Sequence, residues 1–252
     1  MPVRALVAAG ALFEVEENAV RVALARLLAA GLVARDERGC YRAGARAAAV
    51  GRQVARWRRL DDAMRPWDGG WVGVVGSVRG RRPLQALRFL AFRELHPGLQ
   101  LRPDNLAGGV AAVRDQLMSL GLPPDVPVLG VHALDAETDA RARTLWDTVA
   151  LRAAYRATCA ALADSERRLA RLSAPEAMVE SFLLGGRAIR QLVLDPLLPQ
   201  PLVPAAERGA LVTAMRRYDR IGRATWAAFM RRFDVLPERR APVDVRLVES
   251  AA

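Results

Sequence analysis

Asn18, Arg21 and Arg26 recur along one side of the segment ENAVRVALARLLAAG, Glu17 to Gly31, with the small residues Val22 and Ala25 between them. Such a surface fits the major groove of duplex DNA. Small side chains let a helix axis approach the base edges, while Arg and Asn present paired donors and acceptors to guanine or adenine. On a helical wheel Val20, Leu24, Leu27 and Leu28 fall on the opposite side, at the i, i+4, i+7, i+8 spacing of a core-facing stripe. The same pattern also suits an amphipathic helix packed inside any globular protein, so the neighbouring segments must decide between the two.

Those neighbours favour DNA. Gly31 closes the helix, and Leu32 to Arg35 and Cys40 to Arg42 pair as two short strands across a turn containing Gly39, with Arg35, Arg38 and Arg42 near the phosphates. Upstream, Val3 to Ala9 reads as a short apolar helix ended by Gly10, and Ala11 to Glu16 as the turn into the second helix. Residues 1 to 60 hold eleven Arg against five acids, a local balance of +6 out of +11 for the whole chain. Clustered cations of this kind neutralise phosphates and release counterions. The absence of Lys and the wealth of Ala, Arg and Gly point to a GC-rich coding bias. That bias explains Arg in place of Lys, but not the scarcity of acids in this region.

The 252 residues suffice for two or three domains with real cores, and 52% hydrophobic with 26% charged residues is globular composition. Charged residues interrupt every apolar stretch before about 18 in a row, so no transmembrane helix and no membrane partner are expected. Arg4 is followed by only a few apolar residues before Glu14, without a signal-peptide pattern, and a cytoplasmic location is expected. Cys40 and Cys159 stand far apart without a companion His at ligand spacing, which fits reduced, structural thiols and no metal.

Along the chain, Gly44 to Ala63 has a helical pattern, with Val50, Val54, Trp57 and Leu60 inward and Arg46, Arg52, Arg56 and Arg59 outward; RPWDGG, residues 65 to 70, breaks it. Then come a strand (Trp71 to Val78), a basic loop (Arg79, Gly80, Arg81, Arg82, Pro83) and a helix carrying Leu84, Leu87, Leu90 and Ala91. A second strand (Leu99 to Arg102), a helix (Ala107 to Leu120) and a strand (Val126 to Leu134) follow, and the alternation predicts a ferredoxin-like α/β unit. After about Ala140 the strand signals stop. A long helical stretch runs from Thr144 to Leu172, a capping box at Ser173 to Glu176 opens a helix to Leu194, and four prolines exclude helix between Asp195 and Pro204. A last amphipathic helix is expected from Ala205 to Arg232.

The expected architecture is therefore α+β and multidomain: a winged helix-turn-helix over 1–43, a linker helix over 44–66, a ferredoxin-like domain over 67–137, a helical domain over 138–237 and a disordered tail over 238–252.

Specific blocks in this order resemble the PaaX family of bacterial repressors. They are AVRVALARLLAAGLV (Ala19 to Val33) with Tyr41, WDGGW (Trp67 to Trp71), LQLRPDNL (Leu99 to Leu106), Leu145 with Trp146, AIRQLVLDPLLPQPLVP (Ala188 to Pro204), and Tyr218 with Trp226. The resemblance implies a homodimeric repressor of phenylacetate-type catabolism that binds double-stranded DNA. It also implies a C-terminal domain that responds to an effector, an aryl-coenzyme A thioester such as phenylacetyl-CoA, with no cofactor and no enzymatic role. The family usually has a further helix ahead of the segment matching Val3 to Ala9, which this sequence does not contain. DNA contacts are expected from Asn18, Arg21, Val22, Ala25, Arg26, Arg35, Arg38 and Arg42.

For the effector the residues leave alternatives open. Arg79, Arg81 and Arg82 could grip coenzyme A phosphates or form a solvated loop. Arg187 and Arg190 share a face and could bind a ligand or pair with Asp195, and Trp226 could wall an aryl pocket or, like Trp146 and Tyr155, belong to a core. The central segment is also similar to the small CRISPR-adaptation nucleases, but its first strand, Trp71 to Gly76, lacks their metal-binding Asp. His96 and His132 sit in no nucleophile or relay motif, and no phosphate-binding fingerprint is present. Two readings stay beside the repressor: a winged-helix-linked nucleic-acid or acyl-CoA enzyme, and a repressor answering an unrelated effector.

Overall fold

The computed structural model describes residues 1–235; the tail expected at 238–252 lies outside them. Helix and sheet mix along the chain, and the order begins with α1 (Val3–Ala11), α2 (Glu17–Ala29) and an antiparallel hairpin of β1 (Val33–Arg35) and β2 (Tyr41–Ala43). Gly10 does not end α1. A Cβ on it would stand 2.6 Å from the Val20 methyl, so the glycine lets α1 cross closely over α2 and the helix continues one residue further. Asp36 holds the hairpin turn by accepting the Cys40 amide at 2.7 Å, and Gly39 takes a φ of 75°. The Pro2 backbone bridges to Cys40, so the start of the chain lies along the hairpin.

The expected helix over 44–63 is shorter than its pattern. Helix α3 (Ala45–Ala55) gives way to 3-10 turns at Arg56–Arg59 and Asp61–Ala63; Trp57 in the first and Leu60 between the two are buried. Val54 is partly buried and Arg59 exposed, as the pattern predicts; the side chains of Arg46, Val50, Arg52 and Arg56 lie outside those described.

Next come β3 (Trp71–Val75), α4 (Arg81–Phe89), β4 (Arg93–His96), β5 (Leu99–Pro103), α5 (Gly109–Ser119) and β6 (Val128–Val131). The strands form one antiparallel sheet in the order β4, β5, β3, β6. Strand β4 is an addition to the sequence expectation, hairpinned to β5 through Pro97 and Gly98 with a bulge between Glu94 and His96. Side chains alternate across a strand, so Val72 and Val74 of β3 face α4 and α5, packing with Leu87, Leu90, Val113 and Leu117. Trp71 and Leu101 face the other way, into a core shared with Trp146 and the helices that follow. Burial on both faces is why β3 reads as a continuous apolar run rather than an alternation.

Helix α6 (Ala136–Arg143) is also an addition, capped by the Asp135 carboxylate accepting the Thr138 amide at 2.9 Å. Asp147 starts α7 (Thr148–Leu169) in the same way, so the expected helix from Thr144 begins four residues later. Helix α8 (Ala174–Val193) opens on the capping box: the Ser173 amide donates to Glu176 at 2.9 Å, and hydrogen bonds from Ser173 hold that carboxyl below its usual range. Helix α9 (Ala205–Arg232) follows the proline-rich turn, and α7, α8 and α9 pack on one another.

Two polar hubs lock the sheet to these helices. Buried Arg102 donates to the Leu90 carbonyl (2.7 Å), the Pro103 carbonyl (3.1 Å) and Asn105 Oδ1 (3.2 Å). Burial pushes this guanidinium down to about 10, so it remains charged at neutral pH. Asn105 in turn donates to the Leu197 carbonyl at 2.7 Å, so LQLRPDNL and the proline-rich turn meet in space. In the second hub Asp195 accepts from the Tyr155 hydroxyl (2.5 Å) and the Leu197 amide (2.8 Å) and faces Arg208 at 3.9 Å. The buried partner of Asp195 is therefore Arg208, not Arg187 or Arg190.

Candidate nucleic-acid interface

Helix α2 is open almost all round: Asn18, Arg21, Val22, Ala25 and Arg26 are exposed, and of its residues only Leu24 is buried and Val20 partly so. The expected inward stripe is only half covered: α1 and β1 contact α2, yet Leu27 and Leu28 remain 37% and 41% exposed. Arg21 donates through Nε and Nη2 to Glu17 at 2.8 and 2.6 Å. This exposed pair contributes little, so a phosphate or base edge can replace Glu17 at small cost. Arg26, Arg38 and Arg42 make no ion pair with the described residues.

The hairpin does not bring its arginines together on one face. Arg35 pairs in register with Tyr41, and its guanidinium lies 5.9 Å from that ring centre. Arg42 pairs with Ala34, and alternation turns it to the opposite side of the ribbon. Arg38 stands exposed in the turn. Two glycines fix how the hairpin leaves α2: Gly31 has a φ of 66°, and a Cβ on Gly44 would lie 2.3 Å from the Gly31 carbonyl oxygen, a backbone atom that cannot yield cheaply.

The expected effector residues are dispersed. Arg81 and Arg82 do not belong to a loop; they form the first turn of α4, after Gly80, with Arg79 just outside, and all three are exposed. Arg187 and Arg190 are exposed on α8, and Arg187 borders a cleft with Leu12, Leu172 and Pro175. Trp226 is half-buried on α9 and donates to the Met178 carbonyl at 3.1 Å. Trp146 and Tyr155 belong to the core, with the Trp146 indole donating to the Ala91 carbonyl at 3.0 Å.

Sequence reading missed Phe13 and Phe182. Phe13, in the turn between α1 and α2, lies 5.1 Å from the Phe182 ring and 6.4 Å, nearly parallel, from Trp226. Three segments remote in sequence meet there, and only the local run Phe182, Leu183, Leu184, Gly185, Gly186 hinted at it. Among the described residues no group of three or more His, Cys, Asp or Glu could hold a metal ion, and no helix is long and apolar enough to cross a membrane.

Residues 146–230 match the PaaX-like protein C-terminal domain. The chain therefore carries, over those residues, a segment similar to the C-terminal domain of PaaX-like proteins. A solved structure, the uncharacterized protein Rv0674 from Mycobacterium tuberculosis, is similar over 91% of this chain and 91% of its own, with 26% identity and a TM-score of 0.62. No curated protein matches the chain.

Proposed function

We propose that the protein is a DNA-binding transcriptional repressor, acting on an aromatic-acid operon of the phenylacetate type and released by an aryl-coenzyme A thioester. The observation that carries the reading is the open face of α2, where Asn18, Arg21, Val22, Ala25 and Arg26 lie exposed beside an arginine-bearing hairpin. Residues 1–43 act as a winged helix-turn-helix, with α2 in the major groove and Arg38 and Arg42 on phosphates. The residues from 67 to 137 form a ferredoxin-like unit, in keeping with the β-α-β-β-α-β order and antiparallel sheet. The helices from 138 onward answer the effector, and the PaaX-like C-terminal domain supports the regulator role.

One recognition helix reads only a few base pairs. A homodimer placing two copies of α2 about 10 base pairs apart supplies operator-level specificity. Fluorescence anisotropy on the DNA upstream of the gene, against a random duplex, tests the reading. Arg26→Ala is expected to cost about 1–3 kcal/mol on the upstream DNA and to narrow its advantage over random sequence. Arg42→Ala is expected to weaken both duplexes alike. Unchanged affinity in both variants contradicts the assignment.

A further inference from the structure

Between α8 and α9 lies an apolar cleft of about 270 Å³ to which none of the expected effector arginines contributes. Gly185 and Gly222 leave its floor open, Met215 and Tyr218 line it, and Phe182 and Trp226 wall it. Its polar groups are already satisfied. The Ser181 hydroxyl and the Trp226 indole both donate to the Met178 carbonyl, and the Tyr218 hydroxyl shares a hydrogen bond with Ser165 at 2.7 Å. The floor therefore has no free donor to select a polar group, and what it favours is hydrocarbon. A flat ring suits it, because the glycines leave room along the helices and Phe182 and Trp226, tilted by 54° at 6.1 Å, present ring faces and edges to it; an apolar cavity of about 150 Å³ already holds benzene. At the mouth Arg223, 60% exposed, is paired with Asp219 at 3.1 Å.

We propose that this cleft binds a single aromatic ring, with the ligand's polar remainder outside near Arg223, and that Phe13 transmits its occupancy to α2. Phe13 touches both walls of the cleft, Phe182 and Trp226, and it sits in the turn that leads into α2. A ring entering between those walls shifts them, and the seat of Phe13 shifts with them. A ligand can change DNA affinity only if it prefers one of two arrangements, and the seated and displaced positions of Phe13 provide the two. The coupling half of the proposal rests on the reading of α2 as a DNA-binding helix; the binding half does not.

The test uses the full chain, calorimetry and three probes: phenylacetate, phenylacetyl-CoA and the ringless acetyl-CoA. At least one ring-bearing probe is expected to bind about tenfold or more tightly than acetyl-CoA. Gly186→Leu fills the cleft from a position whose added Cβ meets nothing within 4 Å, so the fold survives, as circular dichroism checks, and binding of that probe falls about tenfold. Equal binding by Gly186→Leu, or no uptake of either ring-bearing probe, overturns the site. Phe13→Ala, and the milder Phe13→Leu, should still take up the probe, with an affinity altered by the lost coupling, while the probe no longer changes DNA affinity. Persistence of ligand-dependent release in both Phe13 variants overturns the coupling. DNA affinity without any probe tests the repressor reading separately.

Discussion

Replacing Arg208 by leucine is expected to lower the unfolding free energy by about 3–5 kcal/mol at neutral pH, the range for removing one partner of a buried ion pair. The Arg208 and Asp195 side chains are 5% and 0% exposed and 3.9 Å apart, and Arg208 also donates to the Leu198 carbonyl at 3.0 Å. Without it, Asp195 keeps the Tyr155 hydroxyl and the Leu197 amide but faces no cation in a buried site. Burial already raises this carboxyl above its ordinary range, against the pull of Tyr155 and Arg208. Losing Arg208 raises it further, so folded Asp195 holds its proton over a wider pH window than it does in the unfolded chain. Its contribution to stability is then complete below the unfolded value and declines as pH rises through that window. Urea melts should show a smaller penalty near pH 4, about the ordinary carboxylate value, than near pH 7. An equal penalty at both, or a negligible one near pH 7, contradicts the account.

Trp71→Ala is expected to cost about 3–5 kcal/mol, the range for truncating a large buried aromatic. Trp71 is 1% exposed at the start of the central strand β3, stacks nearly parallel on Trp146 at 6.1 Å and meets Trp67 edge-on at 5.2 Å. Its indole donates to Asp139 at 3.1 Å, and Asp139 in turn accepts from Arg143. The residue thus joins the sheet to the helical core, and its loss opens a cavity between them. Thermal and denaturant unfolding should both shift, with the whole chain downstream of residue 60 affected together. A loss confined to the sheet, with α7 to α9 still protected from hydrogen exchange, contradicts the shared core.

Local signals in the sequence carried much of this fold. The Ser173 to Glu176 box marked the start of α8, because a capping box needs only residues three apart, and four prolines marked the turn before α9. Strand β4 escaped because Arg93 to His96 is a short charged edge whose partner strand provides the apolar face. Helix α6 escaped because it is polar along most of its length and buries only Ala142. Leu27 and Leu28 read as core because a wheel shows which residues share a face, not how much of that face is covered.

At the candidate sites the same division holds. The open face of α2 follows from periodicity along one segment. The pairing of Asp195 with Arg208 and the meeting of Phe13, Phe182 and Trp226 depend on how distant helices pack, which leaves no spacing to read. Arg81 and Arg82 read as loop because cations in a first helical turn oppose the macrodipole, so no helix-start signal includes them.

The dependence of DNA affinity on salt tests the central claim most directly. If α2 and the hairpin of each of two protomers lie on phosphates, log affinity should fall with log salt with a slope of about −4 or steeper, since each neutralised phosphate contributes about −0.9. Substituting Arg38 and Arg42 together by alanine should make that slope shallower by about 1 for each phosphate that is no longer neutralised. No duplex binding at low salt, or a slope unmoved by the double substitution, would contradict the account.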